Sequence, residues 1–173
     1  MRSSRLFVAL LVAGATSVAH AQAPIQLSLV TPIQIVPADK AVKGFRFNLI
    51  YGTNTAVVGL DLGLVNNTTG GPSEGVQWGG VNLVTGTFTG WQSGFVNVQK
   101  GAFEGLQMGW INISGAVEGL QWGLYNSSTQ MNGLQLSFVN YAKQIHGVQI
   151  GLVNIIKEGG QFPIFPIVNW GKN

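Results

Sequence analysis

Seven octets built on one pattern, Gly-x-Gln-x-Gly-x-x-Asn, dominate the chain: GLDLGLVN (59–66), GVQWGGVN (75–82), GWQSGFVN (90–97), GLQMGWIN (105–112), GLQWGLYN (119–126), GLQLSFVN (133–140) and GVQIGLVN (147–154). Three divergent copies flank them: PIQLSLVT (24–31), GFRFNLIY (44–51) and FPIFPIVN (162–169). The ten starts lie 20, 15, 16, 15, 15, 14, 14, 14 and 15 residues apart. A fixed period of this length commits a chain to an array whose units each pack on their neighbours. Counting places from first to eighth, the second, fourth and sixth are large and apolar, as in Leu120, Trp122 and Leu124. The first, third and fifth are Gly, Gln and Gly. Alternation with period two is the mark of a strand.

The connections, such as VQKGAFE and SSTQMN, hold the Lys, Ser, Thr and Gly of turns. Apolar residues return at their ends, at Phe88, Phe103, Val117, Met131 and Ile145. Including these residues, each copy reads as a strand of about 10 residues and one short turn. The pattern therefore predicts an all-β fold of about ten repeat-derived strands.

Two architectures fit it: an antiparallel meander closed as a barrel, and a parallel β-solenoid with 14–15-residue coils. Reversing the octet about its fourth place maps large residues on large and Gln on Gly, so Gln121 could lie over a neighbour's glycine in a meander. One polar turn per copy also suits a hairpin, and an even strand number suits an outer-membrane barrel. These points favour the meander. Against it, three large places span only about 13 Å at ~3.3 Å per residue, short of the ~25 Å apolar band of such barrels.

Residues 1–21 form a separate expectation. Arg2 and Arg5 precede LFVALLVAGA, and Ala19-His20-Ala21 ends the stretch, the layout of a cleaved secretory signal peptide. Residues 22–173 then form a single β-repeat domain. Of the nine Lys and Arg, two fall in the leader, leaving seven against six acidic residues and a net charge of +1. That balance, with no basic run, argues against nucleic acid as a partner. Charged residues make up 9% of the chain against ~25% in ordinary domains, so the regular elements must be largely withdrawn from water. There is no cysteine, which excludes disulfides and thiolate metal sites.

The tandem octets GLQWGLYN, GLQLSFVN and GVQIGLVN resemble bacterial surface repeat-containing proteins of the Leptospira type. The opening IQLSLVTPIQIVP, the GLDLGLVN octet and the ending PIFPIVNWG are similar too. The resemblance covers essentially the whole mature chain. It implies an exported, envelope-associated β-rich protein and carries no catalytic residues to transfer.

The residues offer little enzyme chemistry. Past the leader, His146 is the sole histidine, so no multi-histidine metal site can form. The carboxylates, Glu104 and Glu118 among them, are scattered. No catalytic residue, cofactor or metal is expected. Arg46 and Asp61 are the only charges in the Gln column and fall in consecutive copies, which predicts a buried structural ion pair. Gln77, Gln92, Gln107, Gln121, Gln135 and Gln149 are a candidate polar lining for a small solute, with amide hydrogen bonding inside the sheet as the structural reading. The function expected is that of an exported envelope protein with a structural or adhesive role, at the outer membrane or cell surface, or in the periplasm. Its expected partners are outer-membrane lipid or other envelope components. Solute binding or transport through the Gln/Gly face is the alternative.

Overall fold

The computed structural model describes residues 23–172; the leader expected over 1–21 lies outside them. Nine strands follow in order: β1 (Ala23–Val30), β2 (Ile33–Gln34), β3 (Val42–Asn54), β4 (Val57–Thr68), β5 (Ser73–Val84), β6 (Phe88–Gln99), β7 (Phe103–Leu136), β8 (Val139–Glu158) and β9 (Ile164–Trp170). They form one sheet in the order β2-β1-β3-β4-β5-β6-β7-β8-β9. From β1 through β3 to β8 every pairing is parallel. Equivalent places stack: Gly75 on Gly90, Gln77 on Gln92, Asn82 on Asn97. β7 runs without interruption through the copies that start at 105 and 119 and into the first half of the copy that starts at 133. The protein is a parallel β-solenoid in which each of the first nine copies is one coil.

The antiparallel barrel is thereby corrected, and the expected Gln-over-Gly packing goes with it. A coil needs several corners per copy, and the copies show only one polar turn. The missing corners lie inside the octet. The first-place glycines, such as Gly105 and Gly119, hold φ near 128°, a conformation closed to most side chains. A Cβ at Gly119 would also strike the carbonyl oxygen of Gly105 one coil earlier. A second corner comes where the buried places change from third to eighth, as at Gln121 and Asn126. That odd spacing turns the sixth and seventh places outward together.

The burial pattern sorts each coil. Inward places are the third (Gln), the eighth (Asn), the tenth (Val84, Ala142, Ile156) and the residue two before the first Gly (Phe88, Phe103, Val117, Met131, Ile145). The column before the first Gly and the apolar members of the tenth place make the apolar core, with Phe88 and Phe103 stacked at 5.8 Å. Thr68, Gln99, Ser114 and Ser128 take the tenth place in the coils of the other regular octets. The large residues of the second, fourth and sixth places face out, so the band read from the sequence is not the core.

Antiparallel segments close both ends. β2 folds back on β1, and Val36 packs with Val42 and Val57 over the first coils. At the other end the tenth copy is no coil: β9 runs antiparallel to β8. Pro163 and Pro166 fall in this last copy, where missing N–H donors blunt a sheet edge.

Candidate functional site: buried amide columns beneath an aromatic face

The third-place column is a one-way hydrogen-bond chain. Gln92 Nε2 donates to Gln77 Oε1 at 2.7 Å, Gln107 to Gln92 at 2.6 Å, Gln121 to Gln107 at 2.8 Å, and Gln135 and Gln149 continue at 2.7 Å. At the N-terminal end Gln77 Nε2 donates to Asp61 Oδ2 at 2.7 Å. Asp61 is held in turn by Arg46, whose Nε and Nη2 donate to its two oxygens at 2.7 Å each. The Arg46 side chain is fully buried, and its remaining N–H groups reach Asn67 O at 2.9 Å and Asn54 Oδ1 at 3.4 Å. A charge-assisted bidentate pair of this kind is the geometry that makes a buried charge tolerable.

The eighth-place column runs the other way. Asn66 Nδ2 donates to Asn82 Oδ1, Asn82 to Asn97, Asn97 to Asn112 and Asn112 to Asn126, at 2.8–2.9 Å. Each Asn amide also donates to the backbone of the next coil, as Asn97 does to Met108 O at 2.7 Å. The fifth-place glycine makes room for this. A Cβ at Gly109 would sit 2.6 Å from Asn97 Nδ2. Where Ser137 takes that place, its Oγ lies within donating reach of both Val139 O at 2.6 Å and Asn140 Oδ1 at 2.7 Å. The strand breaks there, and the competing Asn126–Asn140 bond lengthens to 3.2 Å.

Two of the four unpaired buried side-chain polar atoms among the described residues follow from these directions. Gln149 Oε1 and Asn48 Oδ1 have no donor, because each is the acceptor left over at the end of its column. Asn48, in the fifth place of its copy, heads the Asn column by donating to Asn66 at 2.8 Å. The octet pattern assigns it no role, since Tyr51 holds the eighth place of that copy. The only signal for Asn48 is an amide where Gly is the rule.

All six glutamines named as a candidate lining are at most 1% exposed. Their amides bond to one another, and a solute could reach them only by opening the coil. The solvent meets two other surfaces. One is a groove of about 500 Å³ running along the coils, with Glu104, Glu118, Asn132, His146, Ala102 and Gln130 in its lining. Among the described residues no three His, Asp or Glu side chains gather as a metal site.

The second surface lies over the amide columns. Trp78, Trp110 and Trp122 are 65%, 61% and 54% exposed, and Phe95, Phe138 and Leu152 are similarly open. No charged residue occupies the second, fourth, sixth or seventh place of any of the nine parallel copies. Their only charges are Arg46 and Asp61, in the third-place column beneath. Lys100, Lys143 and Lys157 stand instead in the eleventh place, just past the tenth-place column, and Glu104 and Glu118 stand just before the first-place glycine. Across this wall of the coil the usual arrangement is inverted: amides and an ion pair lie inside, indoles and aliphatics outside. No protein-family model, no curated protein and no solved structure matches the chain.

Proposed function

We propose that this is an exported envelope protein with a structural or adhesive role, a non-catalytic β-solenoid associated with the outer membrane or cell surface. One observation carries the reading. The amides and the ion pair of the octets are consumed in the interior, and the exterior of the octets is apolar and aromatic. Soluble monomers rarely expose contiguous apolar patches beyond a few hundred Å². A patch repeated through nine coils is a surface for association. The leader-like start and the resemblance to Leptospira-type surface repeat proteins support an envelope location.

Fractionation of the native cell tests it. The protein is expected in the envelope pellet, resisting a high-salt wash. Full recovery in the soluble periplasmic fraction overturns the reading. A second reading, binding of a small polar solute, rests on the groove beside Glu104, Glu118 and His146 rather than on the buried glutamines. Calorimetric titration of simple sugars into wild type and the Glu104→Gln and His146→Ala variants tests it; equal heats from all three proteins would remove it.

A further inference from the structure

Between the fourth- and sixth-place columns the aromatic face is not flat. A trough runs along the coils with its floor on the fifth-place glycines. Three depressions mark it. One of about 430 Å³ lies between Trp78 and Phe95 over Gly63 and Gly79. One of about 310 Å³ lies between Trp122 and Trp110 over Gly109. One of about 420 Å³ lies between Trp122 and Phe138 over Gly151. The walls stand two residues apart, about 6.6 Å at ~3.3 Å per residue, a width that admits one extended hydrocarbon chain.

We infer that this face beds directly into lipid, the trough taking acyl chains and the indoles lying at the hydrocarbon boundary. The inference rests on the envelope reading above and adds that lipid itself, not a protein receptor, is what the face meets. Two observations separate lipid from a second copy of the chain. The first is shape. The three outward places span about 13 Å and nine coils span roughly 43 Å, at ~4.8 Å per coil. The apolar surface also turns the corner between the sixth and seventh places, where Ile111 and Tyr125 are exposed. A rigid partner covers one side of a convex corner; a fluid one covers both.

The second observation is polarity. A specific protein interface carries about one hydrogen bond per 100–200 Å². Among the second, fourth and sixth places of the seven regular octets, Ser93 and the indole N–H groups are the only side-chain polar groups. A hydrocarbon partner needs none, and indoles favour the zone between apolar and wet.

The test uses purified full-length mature protein and vesicles of phosphatidylcholine with a minor share of anionic phosphatidylglycerol, which gives the surface a negative potential. Four of the five tryptophans lie on this face, so brominated acyl chains read it without labels. The expected result is flotation with the vesicles that survives about 1 M salt, where the Debye length falls to ~3 Å, together with quenching of most Trp emission. Phe95→Ser and Trp110→Ser, both outward and exposed, should each weaken partitioning roughly tenfold, the size expected for one lost large apolar side chain. Gln130→Ala, on the groove side, should leave it unchanged. Circular dichroism of each variant separates lost binding from lost fold. Flotation abolished by salt, unquenched Trp emission, or a lipid-independent dimer whose formation hides the tryptophans overturns the inference. Envelope fractionation with no vesicle binding leaves the functional reading standing and removes this one.

Discussion

Asp61 accepts from Arg46 through both of its oxygens at 2.7 Å and from Gln77 Nε2 at 2.7 Å on the second of them. The carboxylate therefore ends the glutamine column, standing where the last amide needs an acceptor, and Arg46 neutralises it. Every amide in the column points its N–H end toward this residue, so the column's dipoles and the anion reinforce each other. Arg46→Leu alone leaves a buried, unpaired carboxylate and should cost about 3–5 kcal/mol. Arg46→Gln together with Asp61→Gln continues the column as amides and should recover most of that loss. Urea denaturation midpoints of wild type and the two variants decide it. A double variant no better than the single one would mean that Arg46 matters for something other than its partner.

Gln107 sits in mid-column, donating to Gln92 Oε1 at 2.6 Å and accepting from Gln121 at 2.8 Å and Ser114 Oγ at 2.9 Å. Gln107→Leu strands groups on both sides, at about 1–3 kcal/mol for each buried group left unsatisfied. A loss of roughly 2–4 kcal/mol in chemical denaturation is expected on that scale, with folding and not ligand capture as the property that fails. In the wild type the Gln107 side-chain amide protons should exchange with solvent as slowly as strand backbone protons, measurable by NMR. Fast exchange there would contradict a closed column.

Two glycines of one octet should respond differently to the same substitution. At Gly109 a Cβ would meet Asn97 Nδ2 and Gly94 O at 2.6 Å each, and Gly109→Val should overpack the interior by about 1–3 kcal/mol. At Gly105 φ is 128° and a Cβ faces the backbone oxygen of Gly90. Gly105→Val should therefore lose more, because about 1–3 kcal/mol of backbone strain is added to a clash with backbone that no side chain can relieve. Thermal melts of the pair give the order; equal losses would argue against a corner at the first place.

β9 covers the last parallel rung through Gly151–Ile167 and Asn154–Phe165 pairing. Truncation before Phe162 leaves the β8 edge open, with a row of unpaired backbone donors and acceptors. The truncated protein should associate end to end in a concentration-dependent manner, seen by sedimentation velocity, whereas the full chain should not. A truncated chain that stays monomeric would remove β9 from the role of edge guard.

The all-β class, the period and the inward ion pair of Arg46 with Asp61 are legible in the residue order, because they need only alternation and coincidence of copies. Gln77 to Gln149 read as one column with two meanings open, and burial chooses between them. Asn48 and Ser137 carry weak signals, each a single departure from Gly in the fifth place. What those departures do depends on Asn66 and Asn140, side chains that meet them only once the coils are stacked.

Residue order alone makes this chain a stack of near-identical strand units, with amides on one side of each and large apolar residues on the other. The direction of stacking is a property of packing. An octet nearly symmetric about its fourth place fits either direction when taken alone. Only in the parallel stack does Gln107 find Gln92 and Asn97 find Asn112, each amide donating once and accepting once along its column. The corners that permit that stack, at first-place glycines such as Gly119 and between the sixth and seventh places, take their shape from the backbone of the coil beneath.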